Sequence, residues 1–307
     1  MKRTQLMMAN KIAKMTVIGT GALGTQIAIL SASFGYEVAA FDIDEKSYKR
    51  AIDNFKTVIK FSEKKPLLTI DEWEKGADKV SFHNELGAAV QDADLVIEAA
   101  PENVALKRGI FEKLDKLAPR PAILATNSSS IPISRIESAT TRPERCVNIH
   151  FYSLVMGVNM ADVMGGTKTT ADTMETAALW VRSLGCIPLA VKKETLGFCF
   201  NRVWRTIKRE VLHLWAGGVV DFKDIDRAWM ISYGTPQGPF GMMDRVGLDV
   251  VYDIEMVYYN ETKDPNDYPP EALKKMVDRK EIGIKTQKGF YTYPDPEYSR
   301  PEFLQNP

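Results

Sequence analysis

The 307 residues are 45% hydrophobic and 26% charged, a composition that suits a folded globular chain long enough for two domains. Forty basic residues balance forty acidic ones, so no net field favours nucleic acid or an anionic membrane. No apolar run approaches the roughly 18 to 20 residues of a membrane span. The three cysteines, Cys146, Cys186 and Cys199, fit neither a disulfide framework nor a metal knuckle, and a reducing cytoplasm is the expected home.

The opening stretch MKRTQLMMANKIAK has too short an apolar piece for a signal peptide and reads as a leader before the first strand. That strand, Met15 to Ile18, runs into Gly19, Gly21 and Gly24, and a helix follows with Ile27, Ala28, Leu30 and Ala32 as apolar positions. In a strand–turn–helix unit the first glycine permits the tight turn. The second lets backbone approach a pyrophosphate, and the third lets helix and strand pack closely. Gly19, Gly21, Ala22, Leu23 and Gly24 are therefore the candidate cofactor-binding turn. The next strand, YEVAAFD, ends at Asp42, where a carboxylate can accept ribose hydroxyls and would repel a 2′-phosphate. NAD is the cofactor expected.

In KSYKRAIDNFKTVIKFSEKK, Tyr48, Ile52, Phe55 and Ile59 mark one helix face. Seven Lys or Arg against two acids in that segment form either a solvated face or a local site for phosphate groups. Thr69 and Glu72 form a capping box opening a second, short helix. Strands DLVIEA and AILAT then flank the helix NVALKRGIFEKLDKLA. They are followed by a short helical stretch near IPISRIESA, the strand CVNIHF, the run NMADVMG, the helix TADTMETAALWVRSLG and the strand PLAVK. The alternation predicts an α/β fold, a Rossmann-type doubly wound, mainly parallel sheet with extra strands at one edge. After Lys193 the strands almost stop. GFCFNRVWRTIKREVLHLWAGG predicts a helix with Val203, Ile207, Val211, Leu214 and Trp215 on one stripe, and Asp221 is a cap candidate for the next. The expected domains are 1–193, which binds NAD, and 194–307, all-α.

Of three histidines, His83 follows a short strand and His213 lies inside a helix, both structural settings. His150 closes CVNIHF, with the carboxylate of Asp162 twelve positions on in the next run.

The stretches ATNSSSIPISRI, RCVNIHF, GFCFNR, DIDRAW, GTPQGPFGMMDRVGLD and TQKGFYTY together resemble the L-3-hydroxyacyl-CoA dehydrogenases over nearly the whole chain. NMADVMGGTKT looks closer to a branch that contains bacterial diketoreductases. The resemblance implies oxidation of a secondary alcohol at C3 of an acyl thioester, with hydride passed to NAD and a proton to a histidine backed by a carboxylate. It maps the histidine to His150, the acid to Asp162, the active-site serine to Ser129 and the active-site asparagine to Asn201. Glu102 and Lys107 align with cofactor contacts. An imidazole suits the proton transfer because its unperturbed pKa lies near neutrality, and a carboxylate on its other nitrogen fixes the tautomer.

The sequence departs from the family pattern at three points. His-Phe-Phe-Asn-Pro is here His150-Phe151-Tyr152-Ser153-Leu154, the Pro before Gly-Phe is Leu196, and the acid is Asp in place of the usual Glu. Three readings follow: a short-chain 3-hydroxyacyl-CoA dehydrogenase, a reductase of smaller 3-oxo acids or esters, and a non-catalytic NAD-binding protein. The apolar content of VWRTIKREVLHLWAGG and VVYDIEMVYY, with the habit of relatives, leads to an expected homodimer formed through the helical domain.

Overall fold

The computed structural model describes residues 11–60 and 66–305; the first ten residues of the expected leader and the end of the Lys-rich segment lie outside these, and Lys14 of that stretch already belongs to the first strand. The chain divides into two compact units, Met1–Cys199 and Phe200–Pro307.

The first unit is built on one eight-stranded sheet: β1 Lys14–Ile18, β2 Glu37–Phe41, β3 Val80–His83, β4 Leu95–Glu98, β5 Ile123–Thr126, β6 Cys146–Phe151, β7 Met160–Gly165 and β8 Ile187–Val191. Its order is β3-β2-β1-β4-β5-β6-β7-β8. All neighbours are parallel except β6 and β7, so the doubly wound sheet carries its antiparallel step near one edge. Alternation along each strand divides two cores between the two faces. Met15, Val17, Leu95, Ile97, Ile123, Ala125, Val147, Ile149 and Phe151 join the cluster containing Trp180 and the helix Ala22–Ser33. Ile18, Val96 and Leu124 join Phe111 and Leu114 on the other side. His83 is the last residue of β3 and not a turn residue.

The helix Lys46–Lys60 forms as expected. The Thr69 hydroxyl accepts from Glu72 N while the Glu72 carboxylate accepts from Thr69 N, closing the predicted capping box of the helix Ile70–Ala77. The IPISRIESA segment folds as two 3-10 turns, Ile133–Arg135 and Glu137–Ala139. The short helix Leu86–Val90 had no sequence signal, since five residues span less than two turns of any periodic pattern.

The second unit packs the helices Phe200–Ala216, Phe222–Tyr233, Pro239–Val246, Leu248–Thr262 and Glu271–Asp278 around Leu212, Phe240, Met243, Leu248, Val251 and Leu273. Asp221 caps its helix through Lys223 N at 2.8 Å. One expectation fails in part. Val203 is 57% exposed, and the helix Phe200–Ala216 turns Arg205 and Lys208 inward beside Val211 and Leu212. Those charges are tolerated because Glu255 and Asp267 meet Arg205 at 2.8 and 2.7 Å, a pairing no apolar period reveals.

Candidate active site

The loops leaving the carboxyl ends of β1, β2, β4 and β5 converge where the strand order reverses between β1 and β4, the crevice in which open α/β sheets bind ligands. The glycine turn shows why each position is small. Gly19 has φ +94°, and a Cβ there would lie 2.8 Å from Ala99 C; a Cβ on Gly24 would lie 1.9 Å from Gly19 O. A Cβ on Gly21 would meet nothing within 4 Å, so protein packing does not demand that glycine. The open space beside it, at the N-terminus of the helix Ala22–Ser33, fits an approaching pyrophosphate. Ala22 is exposed, while Leu23 is half-buried against the core. Asp42 follows β2. Its Oδ2 accepts from Thr20 N at 2.6 Å and from Thr20 Oγ1 at 3.1 Å, and its Oδ1 accepts from Asp44 N at 2.9 Å. These bonds aim the carboxylate and leave Oδ1 with acceptor capacity for a ribose hydroxyl.

Lys107 and Glu102 play different parts. Lys107 is 1% exposed, its ammonium donating to both oxygens of the buried Glu98 at 2.8 and 3.0 Å and to Ala100 O at 2.9 Å. Thr126 Oγ1 and Ala100 N complete the shell of Glu98, so the buried ion pair is fully satisfied and ties the β4 loop to the helix Val104–Leu117. Glu102 accepts from Ser128 Oγ at 2.7 Å and from Ser129 N at 2.7 Å, which fixes the serine loop after β5.

That loop meets β6 at His150. The antiparallel register pairs His150 directly with Asp162 of β7, which is why twelve residues of separation bring the two side chains together. His150 Nδ1 lies 3.2 Å from Asp162 Oδ2, and Nε2 lies 3.1 Å from Ser129 Oγ. The ring is 3% exposed and the carboxylate fully buried. Asn127 Oδ1 accepts from Phe151 N at 2.8 Å and anchors the end of β6 to β5.

Sequence reasoning did not single out three further members. Tyr152 donates its hydroxyl to Asp162 Oδ2 at 2.7 Å, and its ring meets the imidazole edge-on at 4.8 Å. Phe198 stacks on the imidazole with ring centroids 4.9 Å apart and planes 6° apart. Cys199 N donates to Asp162 Oδ1 at 3.3 Å. Phe198 reaches this position with φ +52°, sparsely populated for a bulky residue, after Gly197 at +78°. Tyr152 could have been found, being two residues beyond His150 and directly after the strand; Phe198 carries no such signal. Ser129, His150 and Asp162 are thus brought together within the first unit, and Asn201 is the second residue of the helix Phe200–Ala216 in the second.

With Nδ1–H donating to the carboxylate, Nε2 is left as acceptor towards the serine hydroxyl, the tautomer a proton carrier needs. The arrangement can take a proton from a hydroxyl held near Ser129 and return it. His83 and His213 have no comparable setting; His83 ends β3 and His213 is exposed on a helix.

Comparison with known proteins finds matches over most of the chain. The family model described as 3-hydroxyacyl-CoA dehydrogenase, NAD binding domain, matches residues 14–195, and that described as 3-hydroxyacyl-CoA dehydrogenase, C-terminal domain, matches residues 197–293. The chain is 33% identical over 288 residues to the mitochondrial hydroxyacyl-coenzyme A dehydrogenase of Homo sapiens, covering 92% of this chain and 91% of that protein. It is 33% identical over 285 residues to the 3-hydroxybutyryl-CoA dehydrogenase of Clostridioides difficile, covering 91% and 99%. A solved diketoreductase structure, concerned with dual catalysis of dicarbonyl compounds, matches with a TM-score of 0.80 and 34% identity over 92% of this chain and 99% of that one.

Proposed function

From the premise that the chain belongs to the 3-hydroxyacyl-CoA dehydrogenase family and is an NAD-dependent oxidoreductase, we propose that it interconverts the C3 hydroxyl and oxo groups of a short-chain 3-hydroxyacyl-CoA. The observation that carries this reading is the line Asp162–His150–Ser129, with contacts of 3.2 and 3.1 Å. In oxidation His150 Nε2 takes the proton of the substrate hydroxyl, and in reduction it returns that proton. Asp162 holds the ring by Nδ1 and stabilises the imidazolium. Ser129 Oγ and the amide of Asn201 hydrogen-bond the substrate oxygen where charge develops. NAD supplies the hydride acceptor or donor; the Gly19–Gly24 turn, Asp42 and Glu102 hold it, and Lys107 acts by fixing the β4 loop through Glu98. The all-α domain, 194–307, binds the acyl-CoA and carries the dimer contact.

His150→Gln preserves a hydrogen bond and removes proton transfer. Turnover should fall by about 10² to 10⁴ with NADH affinity nearly unchanged. An equal turnover in the variant would overturn the assignment.

A second reading is favoured by Ser153 and Leu154, which replace the Asn-Pro of the family motif next to His150: reduction of smaller 3-oxo acids or esters, as the diketoreductase likeness suggests. NADH oxidation measured side by side with acetoacetyl-CoA, acetoacetate esters and 3-oxo acids separates the two. The exposed apolar residues Val203, Val219, Val220, Ile231 and Tyr233 of the second unit support a homodimer, and sedimentation of an active monomer at micromolar concentration would remove that proposal. A reducing cytoplasm suits the buried thiols of Cys146 and Cys186, which burial pushes up to about 12 and so keeps unreactive, and no described helix is long and apolar enough to cross a membrane.

A further inference from the structure

Asp162 Oδ2 accepts two hydrogen bonds, from the His150 ring at 3.2 Å and from the Tyr152 hydroxyl at 2.7 Å. Asp162 stands opposite His150 in the β6–β7 register, and Tyr152, the residue directly after β6, donates its N–H to Met160 O at 3.5 Å and turns its ring edge-on to the imidazole. Tyr152 is the diagonal neighbour of Asp162, a separation only a long or aromatic side chain bridges. Cys199 N holds the other oxygen, so three donors fix the orientation of a carboxylate that its short stem cannot carry further towards the ring.

Resting on the reading of His150 as proton carrier, we propose that Tyr152 is a positioning residue: its hydroxyl and the short stem of Asp162 form one compensated unit that replaces a longer acid. A Glu at 162 would extend the carboxylate by roughly 1.5 Å, into the volume between the imidazole and the phenol oxygen. A Phe at 152 would vacate that volume and remove the donor that aims the acid. Each change alone spoils the acid's aim, and the two together restore a room-for-methylene exchange. The motif compared above carries this exchanged combination, Phe with Glu, while this chain carries Tyr with Asp.

The test is a double-mutant cycle on Tyr152→Phe, Asp162→Glu and the pair, with kcat measured on acetoacetyl-CoA and ethyl acetoacetate and with melting temperature and NADH affinity as controls. Tyr152→Phe should lower kcat about tenfold, the equivalent of one charge-assisted hydrogen bond. Asp162→Glu should also lower it, and the double variant should turn over at least tenfold faster than the product of the two single effects predicts. A double variant equal to that product, or slower, overturns the compensation while leaving His150 and Asp162 in place. Wild-type turnover in both single variants overturns the proposal and leaves the dyad standing, which His150→Gln tests separately. If Asp162→Glu alone does not fold, a double variant slower than Tyr152→Phe is the overturning result, and one as fast or faster supports the unit.

Discussion

Gly21 and Gly24 stand three residues apart in one turn, yet alanine should damage the protein in opposite ways. At Gly24 a Cβ would sit 1.9 Å from Gly19 O and 3.3 Å from Ala99 Cβ, so backbone must move by roughly 1.5 Å to reach an ordinary contact. Overpacking of that kind costs about 1–3 kcal/mol. At about 2–4 °C of melting temperature per kcal/mol for a domain this size, Gly24→Ala should melt about 2–12 °C below the wild type. At Gly21 the backbone has φ −67°, which any residue adopts, and a Cβ would meet nothing within 4 Å. Gly21→Ala should therefore melt within about 2 °C of the wild type. Its methyl would nevertheless fill the space assigned to the pyrophosphate, and NADH should bind at least about tenfold more weakly, a loss of about 1.4 kcal/mol. Thermal melting without cofactor and NADH titration by energy transfer from tryptophan measure the two effects separately. Wild-type NADH affinity in Gly21→Ala would refute the placement of the phosphates, and wild-type melting in Gly24→Ala would refute the packing argument.

Asp42→Ala removes the acceptor for ribose hydroxyls and the charge opposing a 2′-phosphate, so the preference for NADH over NADPH should narrow by about tenfold or more. Equal efficiency with both cofactors in the wild type would refute the placement of Asp42. In the second unit, burial raises the carboxyls of Asp226 and Asp244 to about 6 from 3.8, against the pull of backbone N–H groups and of Tyr291 and Tyr293 hydroxyls. Between about pH 4 and 6 the folded chain thus binds more protons than the unfolded one, and this contribution to stability declines as pH rises through that window. Asp226→Asn cannot ionise and leaves a backbone N–H of Phe240 or Gly241 facing an amide donor, a loss of about 1–3 kcal/mol. Its deficit in melting temperature relative to the wild type should widen as pH falls from 7 to 4; a constant deficit would refute the burial argument.

The parts of this protein that were legible in the sequence are those where one physical demand dictates residue type at fixed spacing. The glycine turn is one: Gly19 and Gly24 answer to backbone contacts within the turn itself, so their spacing survives in the one-dimensional pattern. The alternation in CVNIHF is another. Val147, Ile149 and Phe151 face the core, which turns Asn148 and His150 to the other face and marks that face as polar. Charges buried through partners distant in the chain were not legible, because periodicity records only whether a residue is apolar. Arg205 thus carries no sequence signal of burial until Glu255 and Asp267 are seen to meet it, and Lys107, aligned with a cofactor contact, shows its buried role only when Glu98 is seen to pair with it.

Tyr152 belongs to a third kind. Read singly, Asp in place of Glu is a departure that weakens the case for a working dyad, and Tyr in place of Phe draws no notice. The fold makes them one: the β6–β7 register sets Asp162 opposite His150, Tyr152 follows β6 directly with its N–H on Met160 O, and the bond of 2.7 Å then supplies from one side what the shorter acid gives up on the other. A change that looks like loss at one position gains its meaning from a neighbour ten residues away, and only the register says that they are neighbours.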